Sequence, residues 1–307
     1  MLKKYSYLII LVFVCVVSLA WISGCGGGDS NCGGDNDGVP TIIDDDEDLN
    51  TYWVARLGVS ELNQLTGPEP GHSSLVQAFF SDFTDFMVQL ADRDYYTNSC
   101  FAYTSRQVTS GTIETLGVNM VTFEGLVGGQ LDLMASGDPP KIDPRLYPGS
   151  AFLEDSITIS VASSDGLTDF PSFTELIAAP EMPVVTQLGD KINPDMGSGP
   201  SIGISIDRIE PLVVKWEAGA GDYIDVKIIP GSGSDTKHLK VRCVTYDDGC
   251  LEIPAAAIQY LVPDLATNFQ FKIERHNFVL HSIKDGDATK AAALIDVSSI
   301  LEGTVLR

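Results

Sequence analysis

The sequence predicts an all-β protein: two antiparallel β-sandwich domains that follow a signal peptide and a flexible acidic tether. Three observations carry this. Short runs alternate apolar and polar residues, the period of a strand with one buried face and one wet face. Gly, Pro, Asn and Asp punctuate those runs at turn spacing. The chain has 307 residues, 44% of them hydrophobic, enough for about two domains of roughly 150 residues, each with a core.

The elements follow in order. Lys3 and Lys4 form a basic start, Tyr5 to Ala20 is nearly unbroken apolar chain, and small residues follow. That is the pattern of a secretory signal peptide over residues 1–24. The stretch is nearly long enough to span a bilayer, so an uncleaved signal anchor is the alternative. The next four residues, Ile22-Ser23-Gly24-Cys25, resemble the lipobox of bacterial lipoproteins. The resemblance implies diacylglycerol transfer to the Cys25 thiol, cleavage before Cys25 and acylation of the new amino group. Each buried methylene would contribute about 0.8 kcal/mol, so two or three acyl chains anchor a protein without a spanning helix. Gly26, where an Asp would hint at inner-membrane retention in some bacteria, favours the outer membrane; the face remains open.

Residues 25–50 read as a tether. Gly26-Gly27-Gly28 and Gly33-Gly34 give flexibility, and Asp44-Asp45-Asp46-Glu47-Asp48 repels itself, so the segment stays solvated and extended. Asp35-Asn36-Asp37-Gly38 has the character of a calcium loop but lacks the closing glutamate.

A first β-rich domain is expected over 51–190 and a second, immunoglobulin- or fibronectin-like sandwich over 200–307. Pro180, Pro183, Pro194 and Pro200 with Gly197 and Gly199 mark the linker between them. Ile157, Ile159 and Val161 alternate with polar residues in the first domain. In the second, so do Ile224, Val226 and Ile228, then Leu239, Val241 and Cys243, then Phe269, Phe271 and Ile273. Val76, Phe79, Phe80, Phe83, Met87 and Leu90 are spaced like one helix face, with Ser73 or Ser74 as cap; the aromatics equally suit a buried strand. Pro254 opens a short helical turn through Ile258. Trp216, in an early strand of the second domain, is expected in the core.

A further resemblance lies in Leu212-Val213-Val214-Lys215-Trp216, Val241-Arg242-Cys243, Asp247-Asp248-Gly249 and Ile253-Pro254-Ala255. With Tyr147, Phe170-Pro171-Ser172-Phe173 and Ala179-Pro180, this pattern resembles uncharacterised β-sandwich lipoproteins of myxobacteria and related bacteria over about half the chain. It implies secretion and a sandwich fold, and adds no chemistry.

Beyond Cys15 in the signal and Cys25 at the lipid, Cys32, Cys100, Cys243 and Cys250 allow three complete pairings. A local Cys243–Cys250 bridge is expected provided the intervening loop is wide. A three-residue turn at 247–249 would put the two sulfurs on opposite faces. Pairing of Cys100 with one of them is the alternative.

A formal charge of −23 argues against nucleic-acid binding, which needs Lys and Arg to displace counterions. It argues equally against docking on anionic lipid. His72, His238, His276 and His281 form no HExxH, and His276 and His281, five apart, face opposite sides of a strand. No CxxC or Cys/His cluster suggests a metal. Gly231-Ser232-Gly233-Ser234 lacks the lysine of a phosphate loop, Gly71-His72-Ser73-Ser74 is no hydrolase elbow, and Asp285-Gly286-Asp287 reads as a turn.

The expectation is a lipid-anchored envelope or surface protein with a non-catalytic binding or structural role and no cofactor. Its membrane partner is reached through the lipid, and a protein or glycan partner through loops. A glycan-binding module would use exposed aromatics such as Tyr95 and Tyr96 or Tyr52 and Trp53. A hydrolase would need two carboxylates about 5–9 Å apart in a cleft.

Overall fold

One hairpin organises the protein. The strands β16 (Asn268–Asp285) and β17 (Ala288–Leu306) pair antiparallel along their whole length. At about 3.3 Å per residue such strands run some 60 Å, far longer than one small sandwich needs. The computed structural model describes Cys32 and residues 53–64, 71–82, 99–103, 118–136, 142–152, 155–163, 170–194, 202–204, 206, 210–230, 240–259, 261, 268–285 and 288–306.

The hairpin is the middle of a nine-stranded sheet. On the β16 side lie β13 (Tyr223–Pro230), β14 (Lys240–Thr245) and the edge strand β3 (Ser99–Tyr103). On the β17 side lie β1 (Trp53–Gln64), β2 (Gly71–Asp82) and β6 (Arg145–Pro148), while β11 (Ile202–Gly203) also pairs with β17. β1 runs parallel to β17, Leu57 opposite Ile295, and every other neighbouring pair in the main path is antiparallel.

Two four-stranded sheets pack on one face of this floor. The first joins β5 (Gly129–Met134), β4 (Val118–Leu126), β7 (Ser156–Ser163) and β8 (Phe173–Ala178). Its inward Val121, Phe123, Ile157, Ile159 and Val161 meet Leu57, Val59, Val76, Phe80, Ile295 and Val297 of the floor. Phe170 and Phe80 close that core edge to face, with ring centroids 5.1 Å apart. The second joins β10 (Lys191–Ile192), β9 (Val185–Leu188), β12 (Leu212–Trp216) and β15 (Cys250–Ile253). Leu188, Val214, Trp216 and Ile253 there meet Ile224, Val226, Val241, Phe271 and Ile273. Alternation explains both cores, because Ile157, Ile159 and Val161, and Ile224, Val226 and Ile228, fall on one side of their strands.

The all-β sandwich architecture therefore stands, but not the division at 190–200. The large sheet takes β1, β2, β3 and β6 from before that point and β13, β14, β16 and β17 from after it. β9 and β10, inside the expected first domain, belong to the second core. There are two cores on one shared floor, and residues Gly34–Arg307 form one compact unit.

Two local expectations also change. Residues 71–82 are strand: Val76, Ala78 and Phe80 are buried by alternation, whereas Phe79, required by the helical spacing, is only half-buried. The remainder of that segment, 83–91, lies outside the described residues. β14 and β15 lie in different sheets, so the chain crosses between layers at 246–249 and makes no hairpin there. For the same reason Cys243 does not bridge to Cys250. It stands directly opposite Cys100 in the β14–β3 ladder, with Cα atoms 4.1 Å apart, and those two form the disulfide. Cys32 and Cys250 are each engaged in a disulfide as well. The short helix α1 (Ala255–Ile258) after Pro254 and the core position of Trp216 are as expected. The expected signal peptide, Cys25 and the rest of the expected tether lie outside the described residues.

Candidate functional site

The chemistry-bearing residues gather on the floor's other face. On β13, Ile224, Val226 and Ile228 point to the core, so Asp225 and Lys227 point away. On β16, Phe271 and Ile273 point to the core, so Glu274 and His276 point away. Antiparallel register then sets Asp225 opposite Glu274, Lys227 opposite Lys272 and Tyr223 opposite His276. Like charges directly opposite are destabilising, and partners of opposite sign resolve both conflicts, diagonally for Lys227 and on the next strand for Lys272. Lys227 Nζ lies 2.7 Å from Glu274 Oε2 and 3.1 Å from Asp225 Oδ2. Lys272 Nζ turns instead to Glu302 on β17, 2.5 Å away, and Gln270 donates to the same carboxylate.

The Asp225–Glu274 pair sits within a longer chain of alternating sign. Arg242 on β14 gives both Nε and Nη2 to Asp225 Oδ2, each at 2.8 Å. His276 places Nε2 3.3 Å from Glu274 Oε2 and Nδ1 2.8 Å from Asp296 Oδ1. Arg56 on β1 completes the row, 3.6 Å from Asp296 Oδ2. The order Arg242, Asp225, Lys227, Glu274, His276, Asp296, Arg56 thus crosses β14, β13, β16, β17 and β1. Asp225 is 1% exposed, and Arg242, Glu274, His276 and Asp296 are all buried. Tyr223 stacks on the His276 ring, centroids 4.5 Å apart.

With a carboxylate at each ring nitrogen, only an imidazolium, with two N–H groups, satisfies both contacts. Burial alone would favour the neutral ring, but the Asp296 carboxylate, aided by Glu274, pushes the His276 pKa up to about 9. Burial likewise opposes charge on Glu274, yet the Lys227 ammonium and His276 outweigh it and hold that carboxyl well below the usual range. Lys227 and Arg242 are shifted up: burial works against them, and Asp225 more than compensates.

A second polar cluster lies on the core side. Arg275, 2% exposed, places Nε 2.8 Å from Asp247 Oδ2 and donates from Nη2 to the Glu217 carbonyl at 2.6 Å. Trp216 Nε1 donates to Asp247 Oδ1 at 2.8 Å, and the Gly221 amide to Oδ2 at 3.0 Å. The segment linking the two small sheets is pinned alongside: Asn277 donates to the Ala178 carbonyl, Ser299 to that of Pro180 and Arg275 to that of Glu181. This is a structural clasp, since each donor and acceptor serves a loop of the fold.

His281 faces the opposite side of β16 from His276, as their spacing requires, with Nδ1 2.6 Å from Glu175 Oε2 and its ring stacked on Phe173. His72 is exposed on β2, and His238 lies outside the described residues. So do Tyr52, Tyr95, Tyr96 and the side chain of Trp53. Sequence reasoning missed Asp225, Glu274, Arg242 and Asp296 as partners of His276. Each occupies a polar position in an alternating run, where a wet face is the ordinary reading. Among the described residues no helix is long and apolar enough to cross a membrane. Compared with protein-family profiles and with curated proteins, the chain matches none.

Proposed function

We propose that the chain is an exported protein, held to the bacterial envelope by lipid on Cys25, with a non-catalytic binding or structural role. The observation that carries this reading is the Cys100–Cys243 disulfide inside the larger sheet. Such bonds form and persist in oxidising compartments outside the cytosol, where the signal-like amino terminus would deliver the chain.

The titration behaviour of the buried groups supports the non-catalytic part. General acid–base catalysis works best with pKa values near the operating pH. Here Glu274 is driven down and His276 up, away from neutrality. Asp225 and Glu274 are the facing carboxylate pair, but a glycosidase needs one member held protonated as an acid, and Lys227 with His276 enforces the opposite for Glu274.

The test is fractionation of cells expressing the wild type and Cys25→Ala, with metabolic palmitate labelling. The wild type is expected to take up label and sediment with membranes, and the variant to lose label and become soluble. An unlabelled wild type, or a variant that stays in the membrane, overturns the anchor. Protease shaving of intact cells then distinguishes the surface from the periplasm.

A further inference from the structure

We propose that Asp225, Glu274 and His276 form a seat for one divalent transition-metal ion of the zinc or manganese kind, entered by displacing the Lys227 ammonium.

The ladder builds the seat. Glu274 and His276 are two apart on one strand face, and Asp225 is the cross-strand partner of Glu274. One donor atom from each residue lies within 4.8 Å of the others, and all three residues are buried. His276 Nε2 and Glu274 Oε2 are already 3.3 Å apart. Metal–ligand bonds of about 2.1 Å bring donors to roughly 3 to 3.5 Å of one another, so closing the set takes movements on the order of 1 Å.

Two further observations point to a ligand. The first is the outer shell. Asp296 Oδ1 holds His276 Nδ1 at 2.8 Å, which leaves Nε2 as the coordinating nitrogen. A carboxylate on the distal nitrogen is how proteins commonly orient a ligating histidine. The second is a spare acceptor. Asp225 Oδ2 takes Arg242 and Lys227, whereas Oδ1 of the same carboxylate is buried with no hydrogen-bond partner among the described residues. A buried acceptor without a partner costs about 1–3 kcal/mol or more when charged, and a cation beside it removes that cost.

Charge permits the exchange. Two carboxylates face each other and need a cation between them, and Lys227 supplies it. Its side chain is 20% exposed, so the ammonium can withdraw to solvent. Coordination also releases the Nε2 proton to water. One divalent ion in, one ammonium and one proton out, leaves the local charge unchanged beside Arg242. The imidazole disfavours calcium and magnesium, and the absence of sulfur from the set disfavours copper(I).

The test uses the full chain in detergent, stripped with a chelator and titrated with Zn²⁺ and with Mn²⁺. Bound metal is counted after desalting, and affinity is read by calorimetry. One ion per chain is expected, lost in Asp225→Asn and Glu274→Gln. Lys227→Met keeps all three ligands and removes the competing ammonium, so it is expected to bind at least about tenfold tighter. That variant decides the matter even if the carboxylate variants fold poorly. No stoichiometric ion in the wild type overturns the proposal, as does an affinity that Lys227→Met leaves unchanged or binding that survives in folded Asp225→Asn.

Discussion

Around Asp225, Glu274 and His276 both faces of β13 and β16 are buried, and they are stabilised by opposite means. Toward the core, Ile224, Val226, Phe271 and Ile273 exclude water and pack. That interaction is roughly proportional to area and has no preferred direction, so the loss of one methylene is graded. On the other face Asp225, Lys227, Glu274 and His276 are held by contacts of about 3 Å to partners of opposite sign. Removing one member of a buried ionic row strands its neighbours, which is a stepwise penalty. One β-strand can thus present a tolerant face and an unforgiving one at successive residues.

The largest effect bears on what holds both faces in register. Cys100 and Cys243 are 143 residues apart, and closing so long a loop is worth about 5 kcal/mol in the chain-entropy treatment. The double variant Cys100→Ser/Cys243→Ser is expected to lose up to about that much in urea unfolding. An unchanged midpoint would show that β3 is dispensable. Next comes the direct contrast between faces. Asp225→Asn keeps shape and removes charge, and is expected to cost about 3–5 kcal/mol by stranding Arg242 and Lys227. Its neighbour Ile224→Val loses one methylene and should cost about 1 kcal/mol. Equal losses in matched denaturation curves would erase the distinction.

Titration sharpens it further. His276 has its pKa raised to about 9 in the folded protein from an ordinary 6.5 or so. Its stabilisation is therefore complete below about pH 6.5 and disappears as pH rises through about 9, a loss of roughly 3 kcal/mol in metal-free protein. Glu274 acts at the other end. Its depressed pKa contributes above about pH 4.5 and is lost only as the solution becomes strongly acidic. Stability measured from pH 6 to 10 should fall at the alkaline end, and His276→Gln should flatten that limb. A comparably small effect is expected in the clasp. A Cβ on Gly219 would lie 2.5 Å from Arg275 Cζ, and Arg275 is fixed by Asp247 and the Glu217 carbonyl. Gly219→Ala should therefore cost about 1–2 kcal/mol, visible as a modest drop in Tm. No drop would mean the guanidinium has room to move.

Much of the fold was legible because alternation is local. The runs at 157–161, 224–228 and 269–273 named their own core residues, and Trp216 was readable as core. Pairing was not legible. Nothing near Trp53 says that its strand lies beside one beginning at Ala288, and the proline-rich stretch at 180–200 looked like a domain boundary although its described part links the two small sheets and supplies β9 and β10 of the second. The site was less readable still. Asp225 and Glu274 become a unit through a ladder that joins positions 49 residues apart, and the local sequence Ile273-Glu274-Arg275-His276 gives no sign that its polar positions are buried. The cysteine pairing failed for a related reason: Cys243 and Cys250 are close in sequence around Asp247-Asp248-Gly249, but the chain changes layers between them.

The parallel contact between β1 and β17 also dictates timing. Ser60, near the start of the described chain, shares a hydrogen bond with Ser298, 238 residues later. In a chain that emerges amino end first, the β1–β17 ladder is therefore absent until residues 288–306 have emerged. A chain threaded through a narrow pore arrives with β1 and β2 waiting for a neighbour that is still to come. Closing contacts of such long sequence separation is slow, on the millisecond-to-second scale or longer. The ordering of strands thus keeps the floor open until β17 is added.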